Sequence, residues 1–256
     1  MLTNPQQQRY IRNIILPEIG ELGQEKLLRA RVLVVGAGGL GSPALLYLAA
    51  VGVGNIGVID DDVVELSNLQ RQIIHNEKNL GQKKVASAAA KISLLNSDVK
   101  LEIFSQRATR ESLRKISVNY DFILDCTDNF ATRFIINEIC FEQKKPLIFA
   151  AVKGFLGQVA VFKSYEKNNP CYACFNPNIV DENFSLPFLE KGILGSVAGA
   201  IGALQATTTI KEILEIEESL VGKILIFDFL KNEFRKVKLQ KNSNCKICNH
   251  ERAAKN

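Results

Sequence analysis

From Arg31 to Ala151, short apolar runs alternate with longer segments whose apolar residues fall on one side of a helix. A short apolar run bounded by glycine or polar residues favours a buried strand, and a longer amphipathic segment favours a helix. Strands and helices that follow one another in turn predict an α/β fold, in which helices cover both faces of a mostly parallel sheet. The predicted strands are Val32–Val35, Asn55–Asp60, Val99–Phe104, Asp121–Asp125 and Leu147–Ala151, and the predicted helices are Ser42–Val51, Gln82–Leu95, Arg110–Val118 and Phe130–Gln143.

The pattern changes after Ala151. Gly157–Lys163 resembles an antiparallel strand in its alternation, and two further strands are predicted at Ile224–Phe229 and Phe234–Leu239. We therefore expect antiparallel strands to complete the sheet at its C-terminal end.

Two segments lie between the first of these later strands and the other two. Asn176–Glu190 is polar and contains proline, which predicts an exposed loop. A Gly/Ala-rich segment then runs to about Ile216, and its part Gly192–Ile210 carries no charge over nearly the length of a membrane span. Large apolar side chains are few there and Gln205 lies inside, so the segment predicts a tightly packed core helix.

The composition is that of an ordinary globular protein, with 46% hydrophobic and 23% charged residues among 256. The net charge of +5 comes from scattered lysines and arginines, and there is no tryptophan, so neither nucleic acid nor membrane is an expected partner. Met1–Gln8 is polar and lacks the apolar core of a signal peptide. Cys126 and Cys140 lie in apolar contexts typical of buried reduced thiols, and we expect a cytoplasmic protein.

A glycine-rich motif directly follows the first predicted strand and opens the first predicted helix. Its glycines, Gly36, Gly38, Gly39 and Gly41, let the backbone approach a phosphate, and the helix N-terminus offers free amides. Asp60 ends the second predicted strand, where a carboxylate can accept hydrogen bonds from ribose hydroxyls. These features predict a Rossmann-like, doubly wound fold that binds a nucleotide. Alone, such a motif most often indicates NAD or FAD, and a tight turn without a ligand is the alternative.

Two cations follow this motif. Arg71 lies in the segment Ser67–Gln72, just after the acidic cluster Asp60–Asp62, and its guanidinium can bind phosphate oxygens. Lys84, at the start of the next predicted helix, can add a point charge. A surface salt bridge for Arg71 and a solvated side chain for Lys84 are the simpler alternatives.

Carboxylates also stand at the end of the fourth predicted strand, in the segment Asp125–Asn129. This end of a parallel sheet is its ligand-binding side. Asp125 and Asp128, facing a nucleotide and two cations, can hold magnesium against the phosphates. The structural alternative is that Asp128 caps the helix that follows, and one residue can do both.

Two Cys-x-x-Cys pairs, Cys171 with Cys174 and Cys245 with Cys248, provide four thiolates. Four is the number that closes a tetrahedral zinc site. We expect a structural zinc that fastens the C-terminal tail to the body, because a closed sulfur shell leaves no position for water. Four buried thiols without a metal are the alternative.

Neither of the two histidines has a partner for acid–base catalysis. His75 is expected to be a polar surface or turn residue. His250 follows the last cysteine closely, but four cysteines already fill a zinc shell.

Together with Arg9–Asn13, these motifs resemble the ThiF/MoeB/HesA family, bacterial relatives of ubiquitin-activating enzymes. The resemblance extends from about Gln7 to Cys248, and the segments Ser67–Gln72 and Asp125–Asn129 are specific to the family. It implies an enzyme that uses ATP and magnesium to adenylate the C-terminal glycine of a ubiquitin-like sulfur-carrier protein ending in Gly-Gly, with release of pyrophosphate.

The same resemblance implies roles for individual residues. Gly39 would contact the phosphates, Asp60 the ribose, and Asp128 the metal. The implied ligands of the triphosphate and its surroundings are Asn68, Gln70, Arg71, Lys84 and Asn129. Family members are homodimers, and the resemblance implies that Arg12 reaches into the partner's ATP site. One domain is expected over 1–256, with a nucleotide-binding half at 1–151 and a zinc-containing, carrier-binding half at 152–256.

One departure from the family pattern concerns sulfur transfer. Many relatives carry a cysteine where this chain has Phe188, and Asn176–Gly195 contains no cysteine. A covalent thioester or acyl disulfide on this loop is therefore excluded, and a separate protein must donate sulfur. This favours adenylation alone, as for molybdopterin synthase, while a thiamine-pathway carrier stays open. Two different functions also stay open, an NAD-dependent oxidoreductase and a non-catalytic module that docks a ubiquitin-like tail.

Overall fold

The computed structural model describes residues 1–177 and 192–249. Its strands are β1 (Arg31–Val35), β2 (Asn55–Ile59), β3 (Lys100–Phe104), β4 (Phe122–Asp125), β5 (Leu147–Lys153), β6 (Leu156–Phe162), β7 (Lys223–Asp228) and β8 (Glu233–Lys238). Its α-helices are α1 (Asn4–Ile14), α2 (Gly20–Arg29), α3 (Gly41–Val51), α4 (Lys84–Leu95), α5 (Arg110–Ile116), α6 (Phe130–Glu142), α7 (Tyr172–Phe175) and α8 (Gly195–Leu214), and short 3-10 helices lie at Leu66–Asn68, Glu77–Asn79 and Ser117–Asn119. The strands form one sheet in the order β3-β2-β1-β4-β5-β6-β7-β8.

β1 lies in the middle of the parallel half of this sheet, between β2 and β4. Its alternate side chains enter different cores: Val32 and Val34 pack with α3, α4 and α8, whereas Leu33 and Val35 pack with α5 and α6. Helices therefore cover both faces, as the apolar runs predict. Because the strand order reverses at β1, a crevice opens beyond the carboxyl ends of β1 and β4.

The C-terminal strands are antiparallel. A hairpin joins β5 to β6, with Lys153 opposite Leu156, and β7 and β8 extend the sheet in alternating directions. The predicted α/β fold with antiparallel C-terminal strands is therefore confirmed. Predicted and observed strand ends differ by a residue or two.

Two helices, α1 and α2, precede β1, and the hydrophobic pattern does not predict them. The Thr3 side chain caps α1 by accepting a hydrogen bond from the Gln6 amide. Only Tyr10 is buried among the residues of α1, and most of its other residues are polar. Asn96 donates a hydrogen bond to the Tyr10 hydroxyl at 2.9 Å and thereby attaches α1 to the end of α4.

The Gly/Ala-rich segment forms α8, which is shorter at both ends than the predicted helix. Its small side chains let it approach α3 closely: a Cβ atom on Gly202 would collide with the Leu40 carbonyl oxygen and the Pro43 ring. The prediction of a packed core helix is confirmed. Within the residues described, no helix combines the length and apolar character that crossing a bilayer requires.

Of three other predictions, the structure confirms one, and two concern residues that it does not describe. Cys126 and Cys140 are buried and form no disulfide, as predicted. Most of the predicted loop Asn176–Glu190, including Phe188, lies outside the described residues, and so does His250.

We predict opposite effects of alanine at two glycines of α8. Gly202→Ala should lower the free energy of unfolding by about 2–3 kcal/mol, because the new methyl group forces α8 away from α3. Gly199→Ala is the matched control: a Cβ there meets no atom within 4 Å. It should raise stability by about 0.5–1 kcal/mol through helix propensity. Denaturant unfolding at one protein concentration measures both, and equal effects would contradict the packing described.

Candidate active site

The glycine motif forms the turn between β1 and α3, and two of its residues cannot carry a side chain. Gly36 has φ of 100°, and a Cβ there would lie 2.9 Å from the Cys126 carbonyl oxygen. A Cβ on Gly41 would collide with the Gly36 carbonyl oxygen. The turn is therefore packed directly against the chain that leaves β4, which brings the ends of the two strands together.

Asp60 fixes this turn from the end of β2. Its carboxylate accepts hydrogen bonds from the Ala37 amide at 2.8 Å and from the Asp62 amide at 2.9 Å. Within the described residues, no hydrogen bond uses the amide N–H of Gly38, Gly39 or Leu40. These amides lie at the N-terminus of α3, where the helix dipole favours an anion.

Arg71 lies against the glycine turn, as its predicted role requires. A Cβ on Gly39 would be 3.4 Å from the Arg71 Cγ atom and 3.4 Å from the Ala198 methyl group. The guanidinium donates to the Ser67 carbonyl oxygen at 3.1 Å and forms no salt bridge with the described residues. Its positive charge is therefore available for an anion, and the alternative of a surface salt bridge does not hold.

The other residues of the Ser67–Gln72 segment hold it in place. Asn68 is buried, and its side-chain oxygen accepts from the Glu65 amide at 3.3 Å. Gln70 packs against the first residue of α8, where a Cβ on Gly195 would collide with the Gln70 carbonyl oxygen. The segment thus bridges the glycine turn and α8.

Lys84 is buried at the start of α4, and the solvated alternative is therefore wrong. Its ammonium group forms a salt bridge with Asp62 at 2.8 Å. The carboxylates of Asp60, Asp61 and Asp62 converge within 4.8 Å of one another. Two of the three are already engaged, Asp60 with backbone amides and Asp62 with Lys84.

His75 is not the surface or turn residue that the sequence predicts. It is 6% exposed, its Nδ1 lies 2.8 Å from the Ser87 hydroxyl, and its Nε2 lies 3.1 Å from the Ala37 carbonyl oxygen. Burial lowers the pKa of its imidazole, so the ring is neutral at physiological pH. The sequence misses this residue because its partners are distant in the chain and one of them is a backbone atom.

Asp125 and Asp128 have different surroundings. Asp125 is fully buried, and its Oδ1 accepts hydrogen bonds from the Thr127 amide and hydroxyl at 3.0 and 2.6 Å. Burial raises the pKa of its carboxyl group. Asp128 is exposed and has no hydrogen bond or salt bridge within the described residues. Asn129, not Asp128, caps α6, because its side chain accepts from the Thr132 amide at 2.9 Å.

Two buried residues that the sequence does not single out as site residues hold the Asp125–Asn129 segment. Arg133 donates to the Thr127 carbonyl oxygen at 2.7 Å, and its guanidinium lies over the Phe149 ring. Gln205, in α8, donates to the Asp125 and Ile148 carbonyl oxygens, each at 2.9 Å. The sequence signal for Gln205 is an amide side chain within the uncharged segment Gly192–Ile210.

The four cysteines meet at one place, as the paired spacing predicts. The Sγ atom of Cys171 lies 3.8 Å from that of Cys174 and 3.6 Å from that of Cys245, and Cys174 and Cys248 are 3.4 Å apart. Zinc–sulfur bonds of about 2.3 Å place tetrahedral sulfur atoms about 3.8 Å apart, so the group fits this ion. Hydrogen bonding within the cluster lowers the pKa of the Cys174 and Cys245 thiols and raises that of the Cys171 thiol.

Arg12 forms no polar contact with the described residues of the glycine turn or of its neighbouring segments. It is exposed in the last turn of α1 and has no hydrogen bond or salt bridge with the described residues. The other residues predicted to bind the nucleotide lie around the carboxyl ends of β1, β2 and β4.

Solved structures share this fold. The chain superimposes on Escherichia coli MccB with MccA-N7isoASN at a TM-score of 0.82, with 22% identity, over 97% of this chain and 76% of that chain. It matches MccB with ATP at a TM-score of 0.81, with 24% identity, over 94% and 74% of the two chains. At this identity the similarity concerns the fold.

Curated relatives are more similar in sequence. The adenylyltransferase and sulfurtransferase MOCS3 of Culex quinquefasciatus is 44% identical over 96% of this chain, and the chain spans only 56% of that protein. The sulfur carrier protein adenylyltransferase of Thermus thermophilus is 39% identical over 97% of this chain and 93% of its own length. The SAMP-activating enzyme E1 of Haloferax volcanii is 40% identical over 94% and 88%.

The family signature covers almost the entire chain. The ThiF family profile matches residues 10–247, which include the glycine turn, Arg71, the Asp125–Asn129 segment and three of the four clustered cysteines. With relatives that are named adenylyltransferases and activating enzymes at this level of identity, the assignment does not depend on any single motif. The chain belongs to the ThiF family.

Proposed function

We propose that this chain is an adenylyltransferase that uses ATP to activate the C-terminal glycine carboxylate of a ubiquitin-like sulfur-carrier protein. The observation that carries the proposal is the proximity of the Arg71 side chain to Gly39 in the glycine turn. Among the described residues, the amides of Gly38, Gly39 and Leu40 have no hydrogen-bond acceptor and the Arg71 guanidinium has no salt bridge. The named activities of the Thermus and Haloferax relatives support it.

The reaction explains why such a site needs cations. A carboxylate is a poor electrophile, because an attacking nucleophile would have to expel oxide. In adenylation, a carboxylate oxygen attacks the α-phosphorus of ATP, the bond to the β-phosphate oxygen breaks, and pyrophosphate leaves with its electron pair. Two anions must approach each other, so the protein has to neutralise phosphate charge and align the attack. No side-chain nucleophile is needed.

We assign the following roles from the family resemblance, and the positions of these residues around the glycine turn support them. Gly39 contacts the phosphates, Asp60 binds the ribose, and the triphosphate lies among Asn68, Arg71 and Lys84. Gly36, Gly38 and Gly41 shape the turn, and Gln70 and Asn129 hold the neighbouring backbone. Asp128, exposed beside this crevice and without a partner among the described residues, would hold magnesium, which supplies positive charge against the phosphates.

An NAD-dependent oxidoreductase is less well supported. Hydride transfer to or from a carbonyl usually needs a proton donor or acceptor beside the substrate. His75 is buried, neutral and engaged at both ring nitrogens. A docking module without activity would not need the cations Arg71 and Lys84, so adenylation accounts for more of the site.

For the biosynthetic pathway, we propose only that the carrier is a sulfur carrier, without choosing between two pathways. Molybdopterin and thiamine biosynthesis both use a sulfur carrier with a Gly-Gly terminus, and either fits. The Asn176–Gly195 segment has no cysteine, so the sulfur is not carried on this loop. We also propose that 1–151 binds the nucleotide and that 152–256, with a zinc at its four cysteines, binds the carrier.

We further propose a homodimer in which Arg12 completes the partner's site. An open groove of about 360 Å³ lies between α1, α3 and α8, and apolar side chains form much of its wall. Tyr47 lines this groove and is 58% exposed, so a second copy of the chain could cover it. Arg12 lies in α1, at one side of the groove.

The first prediction concerns the phosphate site. With ATP, magnesium and a Gly-Gly carrier, Arg71→Ala and Asp128→Ala should each reduce ATP–pyrophosphate exchange by about 100-fold or more, because Arg71 would balance phosphate charge directly and Asp128 would hold the magnesium that does so. Arg29→Ala is the control, since Arg29 is exposed and lies before β1, at the opposite end of that strand from the glycine turn. Wild-type exchange in both site variants would refute the site.

The second prediction tests Arg12 across subunits. Arg12→Ala and Arg71→Ala should each be inactive as homodimers. After subunit exchange, a mixture of the two should recover about one quarter of wild-type activity, because each mixed dimer contains one intact site. No recovery, with exchange verified by mass spectrometry, would show that Arg12 acts within its own subunit, and wild-type activity of the Arg12→Ala homodimer would show that it has no role.

The third prediction concerns the cysteine cluster. The purified protein should contain about one zinc per chain, and Cys248→Ala should lose it and unfold at a lower temperature, since the remaining three thiolates leave the shell open. Cys140→Ala, at a buried cysteine outside the cluster, should retain the metal. Elemental analysis measures the zinc content directly. Equal zinc in the wild type and Cys248→Ala would contradict the assignment.

A further inference from the structure

We propose that His75 is a positioning residue that directs the amide N–H of Gly38 toward the phosphates of the bound nucleotide. The proposal rests on the proposed function, because it assumes that phosphates occupy the crevice above the glycine turn. It assigns a role to a buried side chain that the adenylation chemistry does not otherwise use.

The partners of His75 determine where its proton lies. Nε2 is 3.1 Å from the Ala37 carbonyl oxygen, which can only accept a hydrogen bond. Nε2 must therefore carry the proton and donate it. In a neutral ring, Nδ1 is then an acceptor, and the Ser87 hydroxyl at 2.8 Å donates to it. Burial lowers the pKa of the imidazole, which keeps this single tautomer at neutral pH.

The bond to the Ala37 carbonyl oxygen fixes the next peptide group. A trans peptide is planar, and its N–H points opposite to its C=O; the described chain contains no cis peptide. The Ala37 carbonyl points to the buried ring of His75, so the N–H of Gly38 points away from it, to the open side of the turn. No hydrogen bond of the described residues uses that N–H.

Ala37 is held on its other side as well. Its own N–H donates to the Asp60 carboxylate at 2.8 Å. Both peptide groups that flank Ala37 are therefore fixed before a nucleotide binds, one by Asp60 and the other by His75. A donor oriented in advance strengthens anion binding, because binding then requires no ordering of the turn.

Two substitutions separate the hydrogen bond from simple burial. In His75→Gln, the side-chain amide can reach the position of Nε2 and donate to the Ala37 carbonyl oxygen. In His75→Asn, the shorter amide can reach Ser87 but not Ala37. The two variants differ by one methylene group, and both keep a polar amide in the pocket.

The experiment measures calorimetric binding of Mg-ATP and of adenosine, without a carrier, to wild type and both variants. We expect His75→Asn to weaken ATP binding about 10-fold, the effect of one misdirected charge-assisted hydrogen bond. Its adenosine affinity should stay unchanged, and His75→Gln should bind ATP within about threefold of wild type. A purely structural role would instead weaken ATP and adenosine binding equally, and that result would overturn the proposal, as would unchanged ATP binding in His75→Asn.

A second measurement needs no substitution at residue 75. The chain has two histidines, so nitrogen-15 NMR of histidine-labelled wild type, with a His250→Gln variant for assignment, reports the tautomer of His75. A proton on Nε2 is expected, and a proton on Nδ1 would overturn the proposal even if His75→Asn does not fold. Wild-type protein that binds no Mg-ATP would refute the proposed function instead, a result that the NMR measurement distinguishes from failure of the His75 assignment.

Discussion

The site depends on how tightly the ends of β1 and β4 are held together. Gly36 leaves no room for a side chain because the Cys126 carbonyl oxygen lies beneath it, so the glycine turn rests on the chain that leaves β4. That chain is fixed from the other side by Gln205, whose amide donates to the Asp125 and Ile148 carbonyl oxygens. A fully buried amide with both donor hydrogens engaged is costly to disturb, since breaking either bond leaves polar groups without a partner.

Charge in the crevice is arranged around this frame. Lys84 is buried and balanced by Asp62, whereas the Arg71 guanidinium bonds, among the described residues, only to a backbone carbonyl oxygen. The two cations therefore differ in what a phosphate must displace. A ligand that approaches Lys84 competes with a carboxylate, but a ligand that approaches Arg71 gains an ion pair without breaking one. The site thus combines Lys84, whose charge Asp62 balances, with Arg71, which has no salt bridge among the described residues.

The sequence predicts well the features that local pattern determines. Apolar runs predict the strands, the glycine spacing predicts the turn, and the two cysteine pairs predict the cluster. Each run, glycine motif or cysteine pair lies within a few residues of the chain. It predicts poorly what depends on distant partners. The sequence predicts a polar surface or turn residue at His75, but in the structure its ring nitrogens bond to Ala37 and Ser87. It offers solvation as the simpler alternative for Lys84, which in the structure is buried and pairs with Asp62. Tyr10 is the buried side chain of the polar helix α1, and hydrogen bonds from Arg9 and Asn13 to distant carbonyl oxygens also hold that helix.

The cysteine cluster has a consequence for the topology of the unfolded chain. Cys174 and Cys245 stand at opposite ends of a segment that contains α8 and the last two strands. An ion held by all four thiolates converts that segment into a closed ring. The ends of a ring cannot drift apart when the packing melts, so the disordered ensemble has fewer configurations to gain. An ion that stayed bound in the unfolded chain would thus favour the ordered state by restricting that chain, without contacting the helix or the strands within the ring.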